Sequence, residues 1–208
     1  MNLLLIGASG MIGSCILKEL SDRGHAVTAV SRNADKIAAL PNVTAVSVDA
    51  TDGAALAKAA EGAEIILSSS SPRSTGDAEA DAKALGQGLL DAAKATGLPV
   101  LMVGGAGTLN LPDGSPVMAL LPPEIKPEAM GIRALKDTLI EGGVVTTYLA
   151  PSAEIAPGER TGTFRVGADV LLSDADGRSW ISAEDYAIAF ADEVENPTHT
   201  GQVFTVGY

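Results

Sequence analysis

The residues best placed to do chemistry lie near the start of the chain, where Leu3, Leu4, Leu5 and Ile6 run into Gly7-Ala8-Ser9-Gly10-Met11-Ile12-Gly13. Glycines at 7, 10 and 13 allow a tight turn, a close approach of backbone to a bound diphosphate, and close packing of the next helix on the strand. The phosphates would sit on the N–H groups and positive end of that helix. This Gly-x-x-Gly-x-x-Gly spacing is a sister of the Gly-x-Gly-x-x-Gly dinucleotide fingerprint. With 23 glycines in 208 residues the triplet alone is weak evidence. Its context is stronger, because an apolar strand precedes it and Ile12, Ile16 and Leu20 follow at helical spacing.

The second informative position is the end of the next apolar run, Ala26 to Ser31. An Asp or Glu there would bind the adenosine ribose and select NAD. Ser31-Arg32 stands there instead. A hydroxyl and a guanidinium suit a 2′-phosphate, which favours NADP(H) over NAD(H), against the plainer reading of a solvated Arg at a strand end. Asn33 and Asp35 also bear on that balance, but each reads first as a helix cap. Asp49, with Ala50 beside it, fits helix capping and adenine contact equally. The segment Ser68-Ser69-Ser70-Ser71-Pro72-Arg73 follows a further apolar run and falls where the diphosphate and ribose of a bound dinucleotide would lie, with Ser68, Ser69 and Ser70 as the contacts, against the plainer reading of a serine-rich loop.

The elements that must position these residues form an α/β pattern. Strands are expected at the start, at Ala26–Ser31, Val43–Val48, Ile65–Leu67, Val100–Val103, Val144–Leu149 and Gln202–Val206. Helices are expected from about Gly10 to Asp22, from a cap at Thr51 or Asp52 to near Gly62, over Gly76–Gly97, over Glu124–Glu141 with an interruption near Pro127, and from Ser182. Gly97 followed by Pro99 stops the long helix, and Ser182-Ala183-Glu184-Asp185 reads as a capping box. The Gly/Pro-rich stretch from 104 to 123 is too long for a connector and reads as a lid or substrate loop. Residues 153 to 180 read as an irregular substrate-side excursion, with a short strand around 163 to 166.

At this length one domain, 1–208, is expected. Hydrophobic residues make up 46% and aromatic residues only 3%, which suits a parallel sheet covered by alanine-faced helices. A net charge of −12 opposes binding to nucleic acid and to anionic membrane. An anionic dinucleotide must therefore be held by local N–H groups and one or two basic side chains. The single cysteine, Cys15, excludes an internal disulfide and fits a reducing cytoplasm, and the initial apolar run is too short for a signal peptide or membrane span. Two histidines and one distant cysteine give no metal-ligand cluster.

Together these residues resemble the atypical short-chain dehydrogenase/reductases, and more closely the bacterial NAD(P)H-binding proteins described as NADH-flavin reductases, which are similar to biliverdin IXβ / flavin reductase. The resemblance spans nearly the whole chain. It rests on the 7–13 loop, Ser31-Arg32-Asn33, Val103-Gly104-Gly105-Ala106-Gly107-Thr108-Leu109, Pro157-Gly158-Glu159-Arg160-Thr161-Gly162 and Glu184-Asp185-Tyr186-Ala187. It implies a Rossmann-type doubly wound sheet with NAD(P)H lying across it. Gly104, Gly105, Ala106 and Pro151 would then border the nicotinamide, and 104–109 and 150–162 the substrate. Thr108 and Ser152 are the nearest hydroxyls to that position and the only catalytic candidates, although each also suits loop backbone. Leu109, Glu154 and Arg160 are candidate substrate contacts. For the two charged ones a loop salt bridge is the competing reading.

The wider superfamily uses a Tyr-x-x-x-Lys pair for proton transfer. None of Tyr148, Tyr186 and Tyr208 has Lys four residues later, and Lys136 has Ile132 at the matching position. That disfavours sugar epimerisation and alcohol dehydrogenation. It leaves hydride transfer to a small-molecule acceptor that delocalises charge, such as a flavin or quinone, where positioning does most of the work. The competing class is a non-catalytic NADP(H) sensor of the NmrA-like type. A monomer or homodimer, without nucleic-acid or membrane partners, is expected.

Overall fold

The computed structural model describes residues 1–208. The apolar run Asn2–Ile6 is β1, and its alternation explains the architecture: Leu3 and Leu5 are buried in one core cluster while Leu4 and Ile6 are buried in the other. A strand buried on both faces needs cover on both. The glycine turn leads into α1 (Met11–Asp22), then β2 (Ala26–Ser31), β3 (Val43–Ser47), α2 (Gly53–Ala59), β4 (Ile65–Ser68), α3 (Ala78–Thr96) and β5 (Val100–Val103). The chain continues through α4 (Lys126–Glu141), β6 (Thr146–Ala150), β7 (Glu154–Ala156), β8 (Arg165–Gly167), β9 (Trp180–Ser182), α5 (Ala183–Glu195) and β10 (Val203–Gly207). Helices α1 and α5 pack together on one face, and α2, α3 and α4 on the other.

The main sheet runs β3-β2-β1-β4-β5-β6-β10-β8 and is parallel except where β8 meets β10. The order reverses between β1 and β4, whose carboxyl ends sit side by side with Ile6 opposite Ser68. An open α/β sheet binds ligands at such a reversal. The expected Rossmann-type fold is therefore present.

Local chemistry accounts for the boundaries. Gly24 (φ +82°) and Gly97 (φ +71°) take the left-handed conformation that ends α1 and α3. Asp52 and Asp77 cap α2 and α3, and Asn33 caps the short 3-10 turn Ala34–Lys36. Pro127 does not interrupt α4. It lies in the helix's first turn, where the missing N–H has no helical partner to lose. The excursion from 153 to 180 holds more order than expected, because β7 pairs with β9 in a small parallel sheet of its own.

The capping box at Ser182 forms only in part. The Ser182 hydroxyl accepts from the Asp185 N–H at 3.0 Å, but the Asp185 carboxylate accepts from the Thr161 hydroxyl, the Gly162 N–H and the Tyr208 hydroxyl instead of turning back to Ser182. Asp185 thereby ties the 157–162 segment and the last residue to α5. The 104–123 stretch is likewise fixed and is not a free lid: Leu109 and Val117 are buried in the core, and Asn110 bonds to the backbone of Asp169 and Leu171. No helix is long and apolar enough to cross a membrane.

Burial pushes the Asp185 carboxyl up, but the bonds from Thr161, Gly162 and Tyr208 outweigh it and hold the group below its usual value. Its contribution to stability is thus complete above the unfolded carboxylate pKa of about 3.9 and is lost as pH falls through the lower folded value. Asp185→Asn should lower stability at pH 7 by about 1–3 kcal/mol and weaken the loss of stability on acidification. Denaturant unfolding of both proteins at pH 7 and below pH 4 checks this; equal stability at pH 7 would refute it.

Candidate functional site

At the switch point between β1 and β4 the backbone is packed as tightly as atoms allow. Gly7 adopts φ +82°, and the Ser69 hydroxyl is shared between the carbonyls of Ile6 (3.0 Å) and Gly7 (3.1 Å). A Cβ on Gly13 would stand 2.5 Å from the Ser69 hydroxyl and nearer still to the Gly7 carbonyl. Glycine at 13 is what lets α1 begin directly against the strand end. No side chain caps this N-terminus and its first turn holds no acid, whereas Asp52, Asp77 and Ser182 cap α2, α3 and α5. Met11, Ile12 and Gly13 line the adjacent cavity, so the helix's positive end is open to an anion.

Two cavities of about 540 and 550 Å³ meet over this turn, sharing Gly10, Ser69, Ser70, Ser71 and Arg73. The first holds the adenosine-side residues expected from sequence: Gly7, Ser9, Ser31, Arg32, Asp49 and Ala50. The Ser9 and Ser31 hydroxyls bond to each other at 2.8 Å, tying the glycine turn to the end of β2. Arg32 donates to the Ser74 hydroxyl at 3.1 Å. Ser74 is fixed in turn because its N–H donates to Asp81 at 2.6 Å, alongside both Thr75 donors. Asp49 accepts from the Thr51 N–H (3.0 Å) and hydroxyl (2.9 Å), leaving the cap of α2 to Asp52. The Thr51 bonds and nearby Arg32 hold the Asp49 carboxyl below its usual value.

The second cavity holds Gly104, Gly105, Ala106 and Pro151, with an apolar wall made by Leu121, Ile125, Ala129, Ile132 and Ile155. Its floor rests on buried Tyr148. A Cβ on Gly104 would overlap the Tyr148 ring, and the Gly105 N–H donates to the Tyr148 hydroxyl at 2.8 Å. Burial pushes the Tyr148 hydroxyl up to about 12, and Lys136 lies 5.7 Å from the centre of its ring. The Tyr186 hydroxyl, also buried and raised, donates to the Leu149 carbonyl, and the Tyr208 hydroxyl serves Asp185.

Several expected contacts lie elsewhere. Ser68 lines neither cavity; alternation along β4 sends it to the opposite face from Ser69, where its hydroxyl is buried without a partner. Leu109 points into the core, because Val117 closes a turn back onto it. Neither catalytic candidate reaches the cavity: buried Ser152 donates to the Val206 carbonyl at 2.9 Å, and Thr108 donates to the Gly105 carbonyl at 2.9 Å. Glu154 is paired with Arg178 at 2.8 Å. Arg160 grips buried Glu19 through two bonds of 3.0 and 2.9 Å, so both charges serve the salt bridges that were their competing reading. Arg73, at the end of the serine segment, lines both cavities, whereas Glu128 lines the second and was not singled out from sequence; only fold assembly brings an exposed loop Arg beside a helix Glu.

Set beside known proteins, residues 7–197 match a family model described as NAD(P)H-binding. The chain belongs to this NAD(P)H-binding family. It is 35% identical to uncharacterized protein YwnB of Bacillus subtilis (strain 168), over 99% of this chain and 98% of that one. A solved structure from Burkholderia pseudomallei, described as a "putative exported protein", is 41% identical with TM-score 0.85 over the full length of both chains. One from Bacteroides thetaiotaomicron, described as a "putative epimerase", is 32% identical with TM-score 0.88 over 100% of this chain and 96% of that one. A "putative NADH-flavin reductase" from Streptococcus pneumoniae TIGR4 is 25% identical with TM-score 0.83, over 100% of this chain and 99% of that one. The family and these neighbours support the atypical short-chain dehydrogenase/reductase resemblance. The open end of α1, its glycine cradle and the long trough fit the cofactor that the family's description names.

Met11 is half exposed at the first position of α1, so Met11→Asp should fold normally and gain about 0.3–1 kcal/mol from the helix dipole. The same charge would repel a diphosphate and weaken NADP⁺ binding at least about tenfold. Thermal unfolding with and without NADP⁺ reads both effects, and an undiminished NADP⁺-induced shift would show that the phosphates bind elsewhere.

Proposed function

We propose that the protein is an NAD(P)H-dependent oxidoreductase that prefers NADPH and reduces a flavin-like or quinone-like acceptor. The observation that carries this reading is the trough itself. One end offers Ser31, Arg32 and Ser74, the middle offers the uncapped end of α1, and the other end is an apolar pocket floored by Gly104 and Gly105. The pneumococcal relative described as a "putative NADH-flavin reductase" supports the same class.

A nicotinamide cofactor held by the glycine turn, the open end of α1 and Arg32 would supply a hydride for the acceptor, with water as the source of the proton that completes the two-electron reduction. The chain's own residues bind and orient. Arg32 is in no ion pair and its one bond is to a serine hydroxyl, which leaves it available to a 2′-phosphate. Gly104 and Gly105, pinned on Tyr148, give a flat floor on which two ring systems can stack within reaction distance. Acid/base help is not assigned to any tyrosine, since all three hydroxyls are committed to bonds and held above their ordinary value. Ile132, at the position a relay tyrosine would take relative to Lys136, contributes an apolar wall instead.

Absorbance loss of NADPH and of NADH in the presence of riboflavin, FMN or a quinone tests this. Turnover is expected, faster at limiting NADPH than at limiting NADH. Arg32→Ala should weaken NADPH alone by about 10- to 100-fold, the worth of a charge-assisted pair. Tight NADPH binding with no turnover of any acceptor would favour the sensor reading, and equal losses for both nucleotides would remove Arg32 from the 2′-phosphate.

A further inference from the structure

Only two side chains along the acceptor end of the trough are charged, and these neutralise each other. Arg73, from the loop after β4, meets Glu128 of α4 with Nη2 2.6 Å from Oε1. Glu128 is the more sheltered of the two, with 24% of its side chain exposed. Around them the wall is Leu121, Ile125, Ala129, Ile132 and Ile155. Arg160 is held away by Glu19, and Arg178 by Glu154. Lys126 and Glu124 flank Ile125 with one charge of each sign, and neither lines the cavity. The chain as a whole carries −12.

Resting on the oxidoreductase reading above, we infer that the acceptor is an uncharged planar molecule, a quinone or a flavin lacking its phosphate. The Arg73–Glu128 pair is the specificity device that disfavours phosphorylated flavins. An acceptor phosphate would enter a pocket whose one arginine already holds a carboxylate. Arg73 also lines the adenosine-side cavity, at the junction where the cofactor's diphosphate would lie, so any release from Glu128 turns it toward an anion already bound. The acceptor's phosphate then faces Glu128 without a cation, inside a field of negative sign. A planar ring without charge loses nothing there, because an apolar wall needs only flat contact area.

Riboflavin and FMN carry the same isoalloxazine ring and differ only by the phosphate, so their comparison isolates this effect. Quenching of flavin fluorescence, with the protein saturated in NADP⁺ so that no turnover occurs, gives the affinities; NADPH oxidation gives KM for the same flavins and for a 1,4-naphthoquinone. We expect FMN to bind at least about tenfold more weakly than riboflavin at low salt, with the gap narrowing as salt screens the repulsion. Ile125→Lys, at the half-exposed rim, should shrink the ratio of the two affinities by bringing in a free cation. Riboflavin and the naphthoquinone turned over at low KM, with FMN poor, support the inference. FMN bound as tightly as riboflavin, with no dependence on salt, overturns it and leaves the oxidoreductase reading intact. NADP⁺ binding with no affinity for any of the three acceptors overturns both.

Discussion

The rest of the structure depends on the contact between three backbones at the end of β1. Gly7 turns the chain, Gly13 lies against the Gly7 carbonyl, and Ser69 fills the remaining space with a hydroxyl shared between two carbonyls. A single methylene at position 13 would force α1 off the strand end. Because α1 starts there, its uncapped N-terminus opens at the point where the strand order reverses, and no general positive field is needed to hold an anion. A chain of net charge −12 could not rely on one.

That economy of positive charge runs through the molecule. Arg23 bridges α1 to Asp192 and Glu195, Arg160 holds Glu19, Arg178 holds Glu154, and Arg73 holds Glu128. Arg32 differs in answering only a serine hydroxyl. Four arginines are thus spent on fixing segments to one another, and the two that line the trough have unequal freedom to meet a ligand's charge.

Much of this was legible in the sequence because its causes are local. Two-sided burial of Leu3 to Ile6, glycine at a forced close approach, and capping by Asp52 are properties of neighbouring residues, and the strands at Ala26–Ser31 and Val100–Val103 fall where their composition puts them. The residues expected at the cofactor line the trough except Ser68, whose facing is decided by one step of strand alternation. What stayed hidden depends on partners distant in the chain. Arg160 reads as a loop cation until folding brings Glu19 to it, and Asp185 reads as half of a capping box until Thr161, Gly162 and Tyr208 compete for its carboxylate. Thr108, Leu109 and Ser152 occupy the right segments, but their side chains turn to backbone or core, which segment position alone cannot reveal.

The central claim is that one trough holds the dinucleotide's phosphates at α1 and its reactive end over the Gly104–Gly105 floor, beneath the α4 wall. A crystal structure of the NADP⁺ complex tests it most directly. The account predicts diphosphate oxygens on the N–H groups of Met11, Ile12 and Gly13, the 2′-phosphate on Arg32, and the nicotinamide between Gly104 and Ile132. A nicotinamide outside the 104–107 and 121–132 walls, or a diphosphate away from α1, would contradict it.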